Sequence, residues 1–124
     1  MNDNDIEREI IEKGKTAPRV TPDGIDAVIT SEFYFTAADG YRASPCYDPN
    51  GDPCVPLPAP AALELLTFCV LVLRNGFTVT GESACASPEN FDAEIGRKIA
   101  RQNAVAKIWP LEGYLLKQRL HDAA

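Results

Sequence analysis

Apolar residues recur at helical spacing in three stretches of this chain and crowd into two short runs between the second and third. Over residues 3–13, Ile6 and Ile10 fall four apart with Ile11 beside them, which predicts a short helix with a narrow apolar stripe. Gly14 closes it just past the last turn. Residues 16–20 read as extended, since Pro18 bars a helix. Thr21-Pro22-Asp23 is a start signal: a hydroxyl that caps, a ring preset for the first turn and a carboxylate at the positive end. Ile25, Val28, Ile29 and Phe33 keep helical spacing from there, so a helix is expected over residues 21–34, with its stop at Asp39-Gly40.

The two apolar runs, 66–73 and 77–83, flank Asn75-Gly76. Asn-Gly between β-rich runs predicts a hairpin over 66–83 closed by a type I′ turn. With Arg74 opposite Phe77, Val72 faces Val79, Leu71 faces Thr80 and Cys69 faces Glu82. One face then carries Phe68, Val70, Val72, Phe77 and Val79; the other carries Cys69, Leu71 and Leu73 beside Thr78, Thr80 and Glu82. Large apolar groups on both faces require cover on both, from helices or from a partner subunit.

Ser87-Pro88 reads as the next helix start. Phe91, Ile95, Ile99, Gln102, Val105, Ala106 and Trp109 share one stripe, with Trp109 as a core anchor. Gly96 interrupts it, which points to close packing against another backbone. Pro110 ends or kinks the helix after Trp109, and residues 111–120 resume it with Leu111, Leu115 and Tyr114 inward. The sum is α+β: a β-hairpin or small antiparallel sheet packed by a long C-terminal helix and a shorter N-terminal one. Residues 1–124 form a single domain, with the helical region 88–120 kinked at Pro110.

Residues 41–60 carry Pro45, Pro49, Pro53, Pro56, Pro58 and Pro60, and read as a surface loop or insertion. Within it Asp48, Asn50 and Asp52 alternate like calcium ligands. The sixth and twelfth loop positions, however, hold Pro53 and Ala59 where Gly and Glu are required. The four cysteines form no CxxC pair and the only histidine is His121, so neither a metal site nor a cofactor is expected. Cys46 and Cys54 bracket the loop and could approach each other, but a disulfide there requires oxidising surroundings.

Composition narrows the picture further. Hydrophobic residues make up 45% of the chain, which excludes a wholly disordered protein. The net charge of −6 excludes bulk attraction to DNA or to an anionic membrane. Residues 97–124 hold six basic and two acidic side chains, a net of +4; residues 1–96 hold six basic and sixteen acidic, a net of −10. Such a split suits either a face that prefers anions or an acidic partner, or two parts that attract each other within the fold. The longest apolar run, 68–73, is too short to span a bilayer, and the first 13 residues lack the apolar core of a signal peptide. The expected location is the cytoplasm.

Several segments, taken in order, resemble one known family. They are Leu66-Thr67-Phe68-Cys69-Val70, Asn75-Gly76-Phe77-Thr78-Val79-Thr80-Gly81-Glu82-Ser83-Ala84-Cys85, Ser87-Pro88-Glu89-Asn90-Phe91-Asp92-Ala93-Glu94-Ile95-Gly96-Arg97-Lys98-Ile99-Ala100 and Ile108-Trp109-Pro110-Leu111-Glu112-Gly113-Tyr114-Leu115-Leu116. Residues 21–40 share in the resemblance. The family is the tailed-phage and prophage family named after gene products 49 and 66. The resemblance implies a phage or prophage origin, expression in the cytoplasm of a bacterial host and an accessory role. It carries over no active-site residue.

The strand-to-helix junction 82–88 is the best candidate site. Free N–H groups at a helix start favour anions, Ser83 and Ser87 would add hydroxyl donors, and Arg97 or Arg101 would add charge. Asn90 shares a flank of the following helix with Arg97 and Arg101, a basic face with an amide suited either to phosphate or an acidic protein surface, or simply to solvent. Against this, Glu82, Glu89, Asp92 and Glu94 crowd that end with negative charge. Asp92 and Glu94 are two apart on a helix and do not face each other; Glu94 suits ion pairs with Arg97 and Lys98. Cys85 and His121 are the sole Cys/His combination for nucleophilic catalysis, and they lack an orienting third group. No phosphate-binding glycine loop, zinc-protease motif or nucleophile elbow occurs.

The sequence therefore favours a non-catalytic binder. It would inhibit a host factor or sequester a small anionic, nucleotide-like signal, with Glu82, Ser83, Ser87, Asn90, Arg97 and Arg101 as candidate contacts and self-association expected. The alternatives are a small hydrolase using the 82–88 junction, or a structural or regulatory phage subunit.

Overall fold

The computed structural model describes residues 2–124. Helix α1 (Asp3–Glu12) opens with a reciprocal cap: Asp5 N–H donates to Asn2 Oδ1 at 2.8 Å and Asn2 N–H to Asp5 Oδ2 at 3.3 Å. Gly14, at φ +68°, ends it as expected, with Lys15 N–H reaching back to the Ile10 carbonyl. Helix α2 (Pro22–Val28) starts where the sequence places it, with Gly24 N–H bonded to Thr21 Oγ1 at 3.0 Å.

That helix stops after seven residues and does not reach Tyr34. Strand β1 (Ile29–Thr36) follows directly. The reason lies in its composition: Ile, Thr, Phe and Tyr fit a pleated surface better than a helix. Ile29 and Phe33, four apart, fit a helical period, but in the strand a bulge between Ile29 and Ser31 puts them on opposite faces, Ile29 beside Leu73 and Phe33 beside Val70. Asp39-Gly40, expected as a stop, lies inside a further helix, α3 (Ala37–Ala43), capped by Thr36 and Asp39.

The Pro-rich segment begins after that helix. Cys46 and Cys54 are joined by a disulfide, and Tyr47 faces Pro53 within the small hairpin they close. A 3₁₀ turn (Ala61–Leu65) leads into β2 (Leu66–Leu73), which pairs antiparallel with β1 on one side and with β3 (Thr78–Ala84) on the other.

The hairpin forms, but its loop holds three residues, Arg74-Asn75-Gly76, closed by Leu73 N–H to Phe77 O at 2.8 Å. Gly76 takes φ +88°, the left-handed residue that a three-residue loop needs and β-carbon sterics deny to others. The register is therefore one residue from expectation: Leu71 faces Val79, Val70 faces Thr80 and Cys69 faces Gly81. One step inverts a strand's faces. Val79 thus joins the buried face with Cys69, Leu71 and Leu73.

Helix α4 (Ala93–Ala123) covers that face. Ser87-Pro88 does not start it; residues Pro88–Asn90 make a 3₁₀ turn, and Asp92 caps the helix by accepting Ile95 N–H at 3.1 Å. The helix continues through Pro110 for 31 residues, so it does not end at Trp109. It lays Gly96, Ala100, Ala104 and Ile108 on the sheet, while Ile95 and Ile99 stay 54% and 42% exposed. The expected large-residue stripe is thus not the contact face; only Val105 and Trp109 from it flank the core. A β-carbon added to Gly81 would lie 2.1 Å from the Ala100 carbonyl oxygen, so the helix backbone rests on the strand backbone there. Gly96 meets the Thr67 side chain instead, at 3.1 Å.

Candidate functional site

Sheet alternation separates Glu82 from Ser83. Glu82 is the cross-strand partner of Phe68 and lies on the face away from α4; Ser83 partners Thr67 on the helix side. The two therefore do not converge on one substrate. Ser87 makes no side-chain cap; its carbonyl accepts the Cys85 thiol at 3.2 Å, and Asn90 closes the 3₁₀ turn by donating its N–H to Ser87 O. Asn103, which the sequence did not single out, donates to the Glu82 carbonyl at 2.7 Å and fastens α4 to β3. Glu94 bonds Lys98 at 3.2 Å.

The two arginines have different fates. Arg101 Nε donates to Glu32 Oε2 at 2.7 Å, and Tyr34 OH donates to the same carboxylate oxygen at 3.2 Å. Glu32 and Tyr34 come from β1, the strand that the periodicity read as helix. The Arg101 hydrogen bond holds the Glu32 carboxyl below its usual range and raises Arg101 in turn. Burial pushes Tyr34 up to about 12, with Cys69 and Glu32 adding to the rise. Burial also raises the Cys69 thiol. At neutral pH the cluster holds an ionised carboxylate, a guanidinium, a phenol and a thiol. Each is in the state its neighbours stabilise, so nothing is poised to move a proton. It is a latch between β1 and α4, and it occupies Arg101.

Arg97 has no ion-pair partner among the described residues. It opens onto a recess of about 110 Å³ beside Tyr34, Phe35, Asp39, Thr67 and Phe91, smaller than the roughly 300 Å³ at which ligand pockets begin. Thr67, the cross-strand partner of Ser83, lines this recess, and Ser83 itself does not. Among the described residues no group of three or more His, Cys, Asp or Glu is placed to hold a metal ion. No helix among them is long and apolar enough to cross a membrane.

The most unusual surface lies on the other side of the sheet. Phe33, Phe35, Phe68, Val70 and Val72 all project there, opposite the face that α4 covers. Phe33 is 56% exposed and Phe35 41%, with Phe35 and Phe68 rings 5.5 Å apart. Residues 29–36 run Ile-Thr-Ser-Glu-Phe-Tyr-Phe-Thr with no apolar alternation, so the sequence carried only their β-branched and aromatic composition as a sign of this strand. Only the apolar groups on the first hairpin strand pointed to an uncovered face.

No curated protein and no solved structure matches the chain. A family model does, over residues 20–120, spanning β1 to β3 and nearly all of α4. The chain belongs to the phage protein family of N4 Gp49 and phage Sf6 gene 66.

Proposed function

We propose that this chain is a phage or prophage accessory protein that acts by binding a host protein, without turnover. The observation that carries the reading is the uncovered sheet face of Phe33, Phe35, Phe68, Val70 and Val72. Apolar patches of this kind on a single chain serve contact with another macromolecule. The broad, pleated surface suits a protein better than a small ligand.

The test uses the purified chain and a Phe33→Asp/Val70→Asp variant whose circular dichroism matches the parent. A monomeric parent that captures one host protein stoichiometrically, lost in the variant, supports the reading. A dimer that the variant dissociates would put a second copy on the face instead. Absence of any capture by a monomeric parent removes the reading.

A further inference from the structure

The tip of the hairpin and the C-terminal half of α4 enclose a second feature. Leu111, Leu115 and Arg119 recur every four residues along α4, so they line one row of the helix. That row faces the end of the sheet across a cavity of about 450 Å³, within the range of ligand pockets. Val28 and Leu73, both nearly fully buried, form its floor. Phe77 from the hairpin and Tyr114 from the helix line its mouth and are 57% and 72% exposed. Arg74 and Arg119 stand on either element, and neither has an ion-pair partner among the described residues. Glu112 is the one acidic lining residue, which leaves the cavity net positive.

From this arrangement we infer a binding site for a small ligand that joins a flat ring to an anionic group, of the size and kind of a nucleoside monophosphate. The apolar floor and the two aromatic rings accept the ring, which stacks on or between them. Guanidinium groups from two separate elements grip the anion with paired hydrogen bonds, as lysines could not. The Glu112 carboxylate excludes the anion from its own side and so directs it toward the arginines. Both parts of the ligand are required: apolar floor without arginines would take any hydrophobe, and arginines on an open surface would hold phosphate only weakly. The site is separate from the sheet face and goes beyond the reading given for it.

The probe is adenosine 5′-monophosphate, with adenosine and inorganic phosphate as its two halves, titrated into the purified chain and followed by two-dimensional amide NMR. The expected result is shifts confined to the hairpin tip and to α4 around Leu115 and Arg119. Affinity for each half should fall at least about tenfold below that for the whole. Arg74→Gln and Arg119→Gln should each weaken the nucleotide about fivefold or more while leaving adenosine unchanged. Phe33→Asp on the sheet face should leave nucleotide binding intact, so this site and the protein-binding face fail separately. No shifts at millimolar nucleotide, equal binding of adenosine, shifts centred on the Arg97 recess, or unchanged affinity in both arginine variants would each overturn the assignment.

Discussion

Gly81 of β3 lies directly beneath Ala100 of α4, so close that a single added β-carbon would stand 2.1 Å from the Ala100 carbonyl oxygen and 2.3 Å from the Ala104 nitrogen. Neither neighbour is a flexible side-chain end, so neither can yield without moving the helix. Gly81→Ala should cost at least the roughly 1–3 kcal/mol of ordinary overpacking. Ile95→Ala, on the exposed face of the same helix, should stay within about 0.5 kcal/mol. Urea unfolding of the two variants checks this; equal losses would place α4 on the sheet through its large residues after all.

The two faces of β2 should differ in the same way. Leu71 is fully buried under α4, and Leu71→Ala should cost about 2–5 kcal/mol. Phe33→Ala, on the uncovered face, should cost the isolated chain well under half of that, because its ring is already half in water. Melting temperatures measured at low protein concentration separate these outcomes. A large loss at Phe33 that vanishes on dilution would reveal cover by another copy.

The latch between Glu32 and Arg101 sets an acid limit. The Glu32 carboxyl is lowered in the fold, so its contribution is complete above the ordinary glutamate range and is lost as pH falls through the lowered value. The side chains are 42% and 38% exposed, so solvent screens the pair to roughly 0.5–1 kcal/mol. Glu32→Gln should therefore destabilise at neutral pH, and the gap from the parent should close in acid. A gap that persists unchanged would show that hydrogen bonding and not charge holds the latch.

Tyr34 sets an alkaline limit of opposite sign. Its folded value of about 12 lies above the ordinary phenol, so its stabilisation is complete below the ordinary range and drains as pH rises toward the folded value. In a near-ultraviolet tyrosinate titration one of the four tyrosines should ionise after the rest. Tyr34→Phe should remove that late step and flatten the alkaline loss of stability. Four tyrosines ionising together in the folded chain would contradict the burial of this one.

Much of the candidate site was out of reach of the sequence for one reason. Arg101 looked free because its partner, Glu32, sits 69 residues away on a strand that the apolar spacing disguised as helix. Glu82 and Ser83 looked like neighbours because they are adjacent in the chain, yet a strand sends them to opposite faces. Arg74 and Arg119 drew no attention, since nothing local says that a hairpin tip and the far end of a helix meet.

What the sequence determined by itself is what short-range sterics and hydrogen bonds decide. Asp3–Glu12 and its Gly14 stop, the Thr21 cap, the turn at Asn75-Gly76 and the α+β class all rest on groups a few residues apart. What only the tertiary structure decided is which surfaces meet. Gly96, Ala100 and Ala104 carry almost no hydrophobic signal, but they let a helix backbone approach a sheet closely. That packing gain outweighs burying Ile95 and Ile99. The strand identity of residues 29–36 and the passage of α4 through Pro110 are settled by contacts between distant segments, whereas the register of β3 follows locally from the three-residue loop that Gly76 permits.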